Sequence, residues 1–322
     1  MKTFLGVDGG NSKTLALVAR EDGQILGWGR GGSGDIYGSE AGAVEAVNAA
    51  VHGALNMAGL EVGSLHSSCF SLVGADWPED FTFWQRETSA RGYGKRNLIV
   101  NDALGALRAG TPREGVVVAC GTGAAVGAKG LDGRVWHSSF WQEQLGGCAL
   151  GEAALRAVYR SELGIDPPTD LTSRVLEHFH VPTVETLLHR QTGRGQTLGK
   201  PLSSLARLVL ETEDAAARDI VRRHGQILGD YALVAARQVG LDAAPFPLVL
   251  TGGVLRHSAI HLAEAIVEQV RKRVPEVRVV RSRLEPVVGA LLLALEHGEV
   301  EMSEATLARL EASLPPVTLY AT

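Results

Sequence analysis

Residues 4–18, FLGVDGGNSKTLALV, contain two short apolar runs on either side of a polar turn that includes glycine. This pattern predicts two β-strands joined in a hairpin, with its tip between Asp8 and Lys13. Gly9 and Gly10 have no Cβ, so a ligand can approach their backbone N–H groups, and a concave run of such groups binds anions. An ordinary Asp-Gly turn would give the same pattern.

The polar side chains at this tip are of the types that a bound phosphate needs. Lys13 adds a positive charge, and the hydroxyls of Ser12 and Thr14 can donate hydrogen bonds. Asp8 stands at the end of the first strand, where a carboxylate can hold a hydrated Mg²⁺ ion. The tip is therefore expected to suit a nucleotide phosphate with its metal.

The composition narrows the class of protein. The chain has 322 residues, 45% of them hydrophobic, which is enough for two domains of roughly 100–200 residues each. Its net charge of −5, without a block of lysine and arginine, argues against a nucleic-acid-binding surface. No stretch approaches the roughly 18 apolar residues of a membrane span. Three cysteines are too few for a disulfide framework, and Asp8 interrupts the first apolar run, so we expect no signal peptide and a cytoplasmic protein.

The first part of the chain alternates strands and helices after the hairpin. The predicted elements are strands at residues 24–29, 68–73 and 97–101, and helices at residues 39–57, from residue 78 and at residues 103–108. Residues 30–38 form a glycine-dense loop that contains Gly34 and Asp35. A loop of this kind between a strand and a helix often lies close to a ligand, although a flexible linker would have the same composition.

Two further carboxylates follow predicted strands. Asp76 comes after the strand at 68–73, and Asp102 comes directly after the strand at 97–101. Ligands bind at the C-terminal ends of strands in open α/β sheets, so both residues are candidates for a substrate site. Each could instead cap the helix that follows it.

The strand pattern restarts at Gly115. Residues 116–120 and 124–129 are predicted strands, joined by the turn Gly121-Thr122-Gly123 roughly 110 residues after the first hairpin tip. This is an internal duplication by pattern rather than by residue identity, and two such tips facing each other could clamp a triphosphate. Helices are then predicted at residues 152–163, 214–238, 257–273, 286–296 and 303–310, with strands at residues 247–250 and 277–281.

Four motifs, taken in order along the chain, carry a family resemblance. They are the Asp8 turn, Asn101-Asp102, Cys120-Gly121-Thr122-Gly123 and Thr251-Gly252-Gly253. Their order resembles the sugar kinase–Hsp70–actin superfamily. Within it, the chain looks most like the BadF/BadG/BcrA/BcrD-type family, which holds N-acetylglucosamine kinases, and the likeness covers nearly the whole chain. Residues 74–80, GADWPED, look like that family too.

The resemblance implies an α/β fold of two ribonuclease-H-like (actin-like ATPase) domains with ATP in the cleft between them. The expected bounds are residues 1–112, possibly joined by the C-terminal helix 303–313, and residues 113–300 with a helical insertion. By position in the motifs, the resemblance implies that Asp8 orients Mg²⁺ through water and that Asp102 is the general base. It implies sugar contacts for Asp35 and Asp76 and adenosine binding for Gly252 and Gly253. The residues that it implies for phosphate binding are Gly9, Gly10, Lys13, Thr14, Gly121, Thr122 and Gly123.

The activity that the resemblance implies is ATP-dependent phosphorylation of a hydroxyl on a hexose or amino sugar, by a homodimer. The chemistry of the residues agrees, because phosphoryl transfer needs positioning, a metal ion and a carboxylate that takes the hydroxyl proton.

One segment departs from the relatives, which carry a Gly-Asp-Glu-Gly-Ser-like stretch at the sugar. Counting back from the helix at residues 154–157 places Gln142-Glu143-Gln144-Leu145-Gly146 there. Glu143 then stands where aspartate is expected, and Leu145 adds bulk to a turn that should be tight. We therefore expect Glu143 to contact the sugar and N-acetylglucosamine not to be the best acceptor, unless Glu143 is a solvated loop carboxylate.

A function of another class stays open. The superfamily includes ATP-driven activators of 2-hydroxyacyl-CoA dehydratases, which carry an iron–sulfur cluster between subunits. Cys120 resembles their ligands faintly, and Cys148 is the one plausible second ligand. A small buried side chain is the simpler interpretation of Cys120.

Overall fold

Two five-stranded sheets organise the chain, which a computed structural model describes over residues 2–320. The first sheet consists of β1 (Thr3–Gly9), β2 (Thr14–Arg20), β3 (Ile25–Gly31), β4 (Leu65–Leu72) and β5 (Arg96–Asn101). Their spatial order is β3-β2-β1-β4-β5, in which β2 is antiparallel to both of its neighbours and β4 and β5 run parallel to β1.

The second sheet repeats this topology. It consists of β6 (Gly115–Cys120), β7 (Ala124–Lys129), β8 (Val135–His137), β9 (Pro247–Thr251) and β10 (Arg278–Arg281), in the order β10-β9-β6-β7-β8. Strand β6 pairs antiparallel with β7 and parallel with β9, as β1 does with β2 and β4. The repeat confirms the predicted α/β fold and the duplication that the hairpin pattern indicated.

Eleven α-helices lie within the described residues: α1 (Glu40–Ala58), α2 (Pro78–Ala90), α3 (Asp102–Arg108), α4 (Gly147–Glu162), α5 (Leu171–Phe179), α6 (Val184–Thr192), α7 (Ala206–Glu211), α8 (Ala215–Gln238), α9 (His261–Arg271), α10 (Pro286–His297) and α11 (Glu304–Ala312). Short 3₁₀ segments occupy residues 62–64, 139–141, 202–205 and 317–320. Within residues 2–320, no helix combines the length and the apolar character that crossing a membrane requires.

The apolar runs that predicted the first hairpin are buried on both faces of its sheet. Leu5 and Val7 of β1 pack with α1, whereas Phe4 packs on the opposite face with α10. Successive side chains of a strand point to opposite faces, so a strand covered on both faces reads as a continuous apolar run. This is why the pattern is so clear in the sequence.

Two predicted helix starts are wrong. Helix α4 begins at Gly147, five residues before the predicted start, because Gly146 makes the turn into the helix with φ +95°. Helix α9 begins at His261 rather than at residue 257. The His257 ring accepts a hydrogen bond from the backbone N–H of Ala259 (3.1 Å), which favours a turn there over a helix.

The C-terminal helices pack on the first sheet. Leu291 and Leu295 of α10 and Leu310 of α11 share one core with Phe4 and Leu17. The expected second domain, residues 113–300, includes α10, and these bounds stay a prediction. We propose that residues 284–320 return to the first half, which is a larger return than the single helix 303–313 that the resemblance implied.

Helices α3 and α10 meet between the two sheets. Ala103 and Leu107 of α3 share a core with Val117 of β6, on the second sheet. The two helices approach so closely that a Cβ on Gly289 would lie 1.8 Å from the backbone oxygen of Gly105. This crossing therefore joins the two halves at the base of the cleft.

Candidate active site

The two glycine turns meet across the cleft. The first is closed by a hydrogen bond from the Gly10 N–H to the Lys13 oxygen (2.9 Å), and the second by one from the Gly121 N–H to the Gly123 oxygen (2.8 Å). The hydroxyls of Ser12 and Thr122 lie 2.9 Å apart, each within hydrogen-bonding distance of the other tip. The structure thus brings together the two turns that the sequence singled out.

The glycine-dense loop at residues 30–38 packs against the first turn. The Gly34 N–H donates to the Gly10 oxygen (2.9 Å), and a Cβ on Gly34 would lie 3.0 Å from Gly9 Cα. Thr14 is buried, and its hydroxyl donates to the Gly32 oxygen (3.0 Å). In this arrangement the Thr14 hydroxyl proton holds the loop and is not directed at a ligand.

A charged cluster surrounds Asp8 at the end of β1. The pKa of Asp8 is raised to about 7, chiefly by burial and then by the negative charges of Asp102 and Glu285, while the positive charges of Lys13 and Arg256 oppose the rise. Glu285 and Arg256 form a bidentate pair, in which Nη2 and Oε2 are 2.7 Å apart. A carboxylate whose negative charge is not compensated by its neighbours favours binding of a cation. Mg²⁺ is often held by one carboxylate together with phosphate oxygens. The sequence reasoning missed Arg256 and Glu285.

The C-terminal segment reaches the first turn. The Lys13 ammonium donates a hydrogen bond to the backbone oxygen of Tyr320, and an Arg30 Nη donates to the oxygen of Leu319 (3.5 Å). Burial, followed by the charge of Arg30, lowers the pKa of Lys13. Among the residues that the structure describes, none hydrogen-bonds to the buried Tyr320 hydroxyl. No sequence pattern predicted that residues 317–320 would contact the lysine expected to bind phosphate.

The second turn is held by the start of α4. The N–H groups of Gly147 and Cys148 donate to the oxygens of Gly121 (2.8 Å) and Thr122 (3.0 Å). A Cβ on Gly146 would lie 2.3 Å from the carbonyl carbon of Gly123, so a larger residue would displace the turn. His224 accepts a hydrogen bond from the Gly146 N–H at Nε2 (3.0 Å), and burial lowers its pKa to about 4, which keeps the acceptor neutral.

The Gly252-Gly253 loop lies beside the C-terminal end of β6. Gly252 adopts φ +97°, and a Cβ there would lie 2.3 Å from the oxygen of Cys120. Gly253 is exposed, and nothing lies within 4 Å of its would-be Cβ. The backbone at Gly253 is therefore open to a flat ligand such as a nucleoside.

Asp102 is not the cap of α3. The Asn101 side chain caps this helix, because its Oδ1 accepts from the Ala103 N–H (3.0 Å). The pKa of Asp102 is raised to about 7, chiefly by burial and then by the negative charges of Asp76 and Asp35, while backbone N–H groups at the start of α3 oppose the rise. A carboxyl with a pKa near neutrality, next to other carboxylates, is of the kind that takes or gives a proton.

Asp76 does not cap a helix either. Asp80 accepts hydrogen bonds from the N–H groups of Trp77 (2.7 Å) and Asp76 (3.1 Å) and thereby fixes the entry to α2. Oδ1 of Asp76 accepts from Asn101 Nδ2 (2.8 Å) and, across the cleft, from the Ser139 hydroxyl (2.6 Å).

Two second-half residues complete this network, and the sequence reasoning missed both. Ser139 has φ +35°, which is unusual for a residue with a side chain and is typical of functional sites. The Nδ1 atom of His137 lies beside the Ser139 hydroxyl and 3.8 Å from Oδ1 of Asp76. Burial lowers the pKa of His137, although Asp76 opposes the effect.

The remaining candidates differ in placement. Asp35 lies close enough for its charge to act on Asp102, and its Oδ1 accepts from the Tyr37 N–H (3.0 Å). Glu143 is exposed, and its N–H donates to the Tyr231 hydroxyl (3.3 Å). Across residues 2–320 no hydrogen bond links the Glu143 carboxylate to Asp76 or Asp102. The tight turn is at Gly146 rather than at Leu145, whose side chain is buried in the second core.

The chain is similar over nearly its whole length to known sugar kinases. A family model described as the BadF/BadG/BcrA/BcrD ATPase family matches residues 5–294. The N-acetyl-D-glucosamine kinase of Dictyostelium discoideum is 28% identical over 315 residues, covering 91% of this chain and 97% of that protein. The N-acetylmuramic acid/N-acetylglucosamine kinase of Clostridium acetobutylicum is 25% identical and is covered to 98%, with 91% of this chain matched. A solved structure from Chromobacterium violaceum, described as an N-acetylglucosamine kinase, superposes with a TM-score of 0.68 at 22% identity, covering 91% of this chain and 99% of that one.

Proposed function

Because the chain belongs to the BadF/BadG/BcrA/BcrD ATPase family, we propose that it is an ATP-dependent kinase for a hydroxyl of a hexose or amino sugar. The observation that carries this proposal is Asp102. Asn101 rather than Asp102 is the N-cap of α3, and the Asp102 carboxyl, which stands near Asp76 and Asp35, has a pKa raised to about 7. The whole-length relatives that phosphorylate amino sugars support the same acceptor class.

The phosphates of ATP would lie between the two glycine turns. The first turn would place Gly9 and Gly10 beside the phosphates and would supply the Ser12 hydroxyl and, once it leaves the Tyr320 oxygen, the Lys13 ammonium; the Gly10 N–H itself closes the turn on the Lys13 oxygen. The second turn supplies Gly121, Thr122 and Gly123, with Gly252 and Gly253 beside it for adenosine. Oriented N–H groups and a lysine are the usual partners of phosphate oxygens.

Mg²⁺ would be held by Asp8, whose carboxyl is short of positive charge. When bound, the ion would neutralise phosphate charge and orient the transferred group. Arg256, exposed beside Glu285, could add a second positive charge to the same end of the cleft.

Asp102 would accept the proton of the attacking sugar hydroxyl, while the hydroxyl oxygen bonds to the γ-phosphorus and ADP leaves. A positioned general base contributes roughly 10²–10⁴-fold in rate. Asp76 and Asp35 would accept hydrogen bonds from other hydroxyls and orient the ring, with Gly34 beside them. Glu143, whose carboxylate is exposed, would contact the sugar only if the loop at residues 142–146 moved inward.

The activator alternative finds no support in the cysteines. Cys120 is fully buried at the end of β6, and burial raises the pKa of its thiol to about 12, whereas cluster ligands are thiolates.

We also propose an assembly and a cellular location for the chain. Family resemblance alone suggests a homodimer, which light scattering coupled to size-exclusion chromatography would test. The three free cysteines fit a reducing compartment such as the cytoplasm.

Replacement of the base tests the proposed function. The wild-type chain and Asp102→Asn are assayed for ADP release with MgATP and a panel of hexoses and amino sugars. Asp102→Asn should lower kcat by at least roughly 100-fold and leave ATP affinity unchanged, as expected when a general base is lost. Asp242→Asn, in the exposed loop after α8, is the matched control. A kcat within a few-fold of wild type at saturating sugar would remove Asp102 from the chemistry, and no sugar-dependent ADP release would overturn the kinase.

A further inference from the structure

The exposed aromatic side chains of the chain lie in one place. Over residues 2–320, the only aromatic residues that are largely exposed are Tyr37, Trp77, Phe140 and Trp141, with exposed fractions between 45 and 74%. Single exposed apolar residues are normal on protein surfaces, but a cluster of them marks a binding surface.

Three of these rings contact each other across the cleft. Trp77 stacks on Phe140 with ring centroids 6.3 Å apart and an interplanar angle of 8°. Tyr37 meets the same Phe140 ring edge-on at 5.1 Å. Tyr37 and Trp77 come from the first half and Phe140 from the second, so the two halves form this apolar surface together.

A pocket of about 240 Å³ opens at this surface. Its lining combines three of the exposed aromatic rings with three polar residues that contact one another around Asp76. The lining residues are Asp76, Trp77, His137, Ser139, Phe140 and Trp141. Asp76 therefore belongs both to this pocket and to the group of carboxylates around Asp102. Asp102 itself does not line the pocket, so a molecule bound there lies beside the base rather than on it.

We propose that this pocket binds a second, neutral sugar ring, linked glycosidically to the ring that is phosphorylated, so that the preferred acceptor is a disaccharide. The proposal rests on the proposed kinase function. A pyranose has apolar C–H faces that pack on aromatic rings and hydroxyls at its edge, and the pocket offers both kinds of partner. Pockets for drug-sized ligands have volumes of roughly 300–1,000 Å³, so this smaller pocket suits a single sugar ring.

The charges around the pocket favour a neutral occupant. An anionic substituent would face Asp76, with Asp102 and Asp35 behind it. His137 gives little compensation, because burial lowers its pKa. A purely apolar substituent would make no use of the Asp76 and Ser139 oxygens.

The second-half wall of the pocket is fixed in advance. The Trp141 N–H donates to the Ser138 oxygen (2.7 Å), and the Tyr231 hydroxyl donates to the Trp141 oxygen (3.2 Å). Ser139 keeps its left-handed backbone while its hydroxyl bonds to Asp76. Backbone strain of this kind costs of order 1–3 kcal/mol and persists where the surroundings hold it in place.

The test compares each monosaccharide with its own β-1,4-linked dimer. N-acetylglucosamine is paired with N,N′-diacetylchitobiose and glucose with cellobiose, and kcat/KM is measured for the wild-type chain, Phe140→Ala and Trp141→Ala. Wild type should prefer at least one dimer over its monosaccharide by about tenfold in kcat/KM, because one stacking contact contributes a free energy of this size. Each variant should bring the ratio of the two kcat/KM values close to one. Leu163→Ala, at an exposed apolar residue after α4, is the control and should keep the wild-type ratio.

Three results would overturn the inference. They are a wild type that prefers every monosaccharide, variants that lower both values of a pair equally, and variants that raise the KM for ATP instead, which would assign the pocket to the nucleotide. Trp141 is the most exposed of the four aromatic residues, so Trp141→Ala provides a result if Phe140→Ala does not fold. Absence of turnover with every sugar would refute the kinase instead. Calorimetric titration with the disaccharides then tests whether the pocket binds them. Binding to wild type that is lost in Trp141→Ala supports the inference, and no binding to wild type refutes it.

Discussion

Asp102→Asn should stabilise the ligand-free protein at alkaline pH even though it removes the proposed base. The carboxyl of Asp102 is buried close to Asp76, and its pKa rises from 3.8 to about 7. An ionised carboxylate in this place is unfavourable for folding, because burial and a like charge both act against it. Asparagine has nearly the same shape and carries no charge, so the variant should not bear this penalty.

The sign and size of the effect follow from the shift in pKa. The folded state holds the proton more tightly than the unfolded chain, so the stability contributed by this group is fully present below about pH 4 and is lost as the pH rises through about 7. One pKa unit corresponds to about 1.36 kcal/mol, and between pH 5 and pH 7 only the folded state is protonated. Wild type should therefore lose about 3 kcal/mol between pH 5 and pH 8 through this group alone. Asp8 is repelled by Asp102, so the same substitution also weakens the pH dependence that Asp8 contributes.

Urea unfolding at pH 5, 6, 7 and 8, without ligands, measures this difference. The free energy of unfolding of wild type should fall by about 3 kcal/mol more than that of Asp102→Asn over this range, and the variant should be the more stable protein at pH 8. Asp242→Asn, in an exposed loop, should follow wild type. Parallel pH profiles for wild type and Asp102→Asn would show that the carboxylate is ionised as easily as in water and would refute the reasoning.

Three further perturbations test other parts of the site and fold. Asp8→Asn should raise the Mg²⁺ concentration needed for half-maximal activity, and an unchanged Mg²⁺ titration would remove Asp8 from the metal site. A chain that ends at residue 318 lacks the oxygen that Lys13 contacts, so its KM for ATP should fall several-fold; a higher KM would mean that the C-terminal segment positions the lysine instead. Gly289→Ala would place a Cβ 1.8 Å from the Gly105 oxygen and should lower the free energy of unfolding by about 1–3 kcal/mol, as overpacking does. Gly63→Ala, with nothing within 4 Å of its Cβ, is the control, and equal stabilities of the two variants would contradict the close helix crossing.

The sequence predicted what depends on local patterns. The hairpins were visible because β1, β2 and β6 are apolar on both faces and their turns are rich in glycine. Asp102 was placed correctly at the end of β5, since a strand followed by a helix is a local signal. The choice between base and cap needed the structure, because it depends on where the Asn101 side chain points.

The residues that sequence reasoning missed come from distant segments. Glu285 and Arg256 meet near Asp8, and Ser139 reaches Asp76, only because the sheets and crossing helices bring separate loops together. No periodicity or spacing encodes such contacts. The tight turn at residues 142–146 was placed one residue early, because Leu145 is an ordinary buried core residue and Gly146 is the position that approaches Gly123.

The duplicated halves have diverged in the chemistry of equivalent sheet edges. In the first sheet, Asp8 lies near the C-terminal end of β1, and Asp76 and Asp102 follow the C-terminal ends of the parallel strands β4 and β5, so carboxylates collect at one edge. In the second sheet, the corresponding ends of β6 and β9 lead into glycine turns, at residues 121–123 and 252–253, which contain no charged side chain. Carboxylates suit a cation and a hydroxyl proton, whereas N–H groups suit phosphate oxygens. The two edges face each other and take different roles. The strands and turns of the duplication are therefore retained as a pattern, while the residues at the two tips differ.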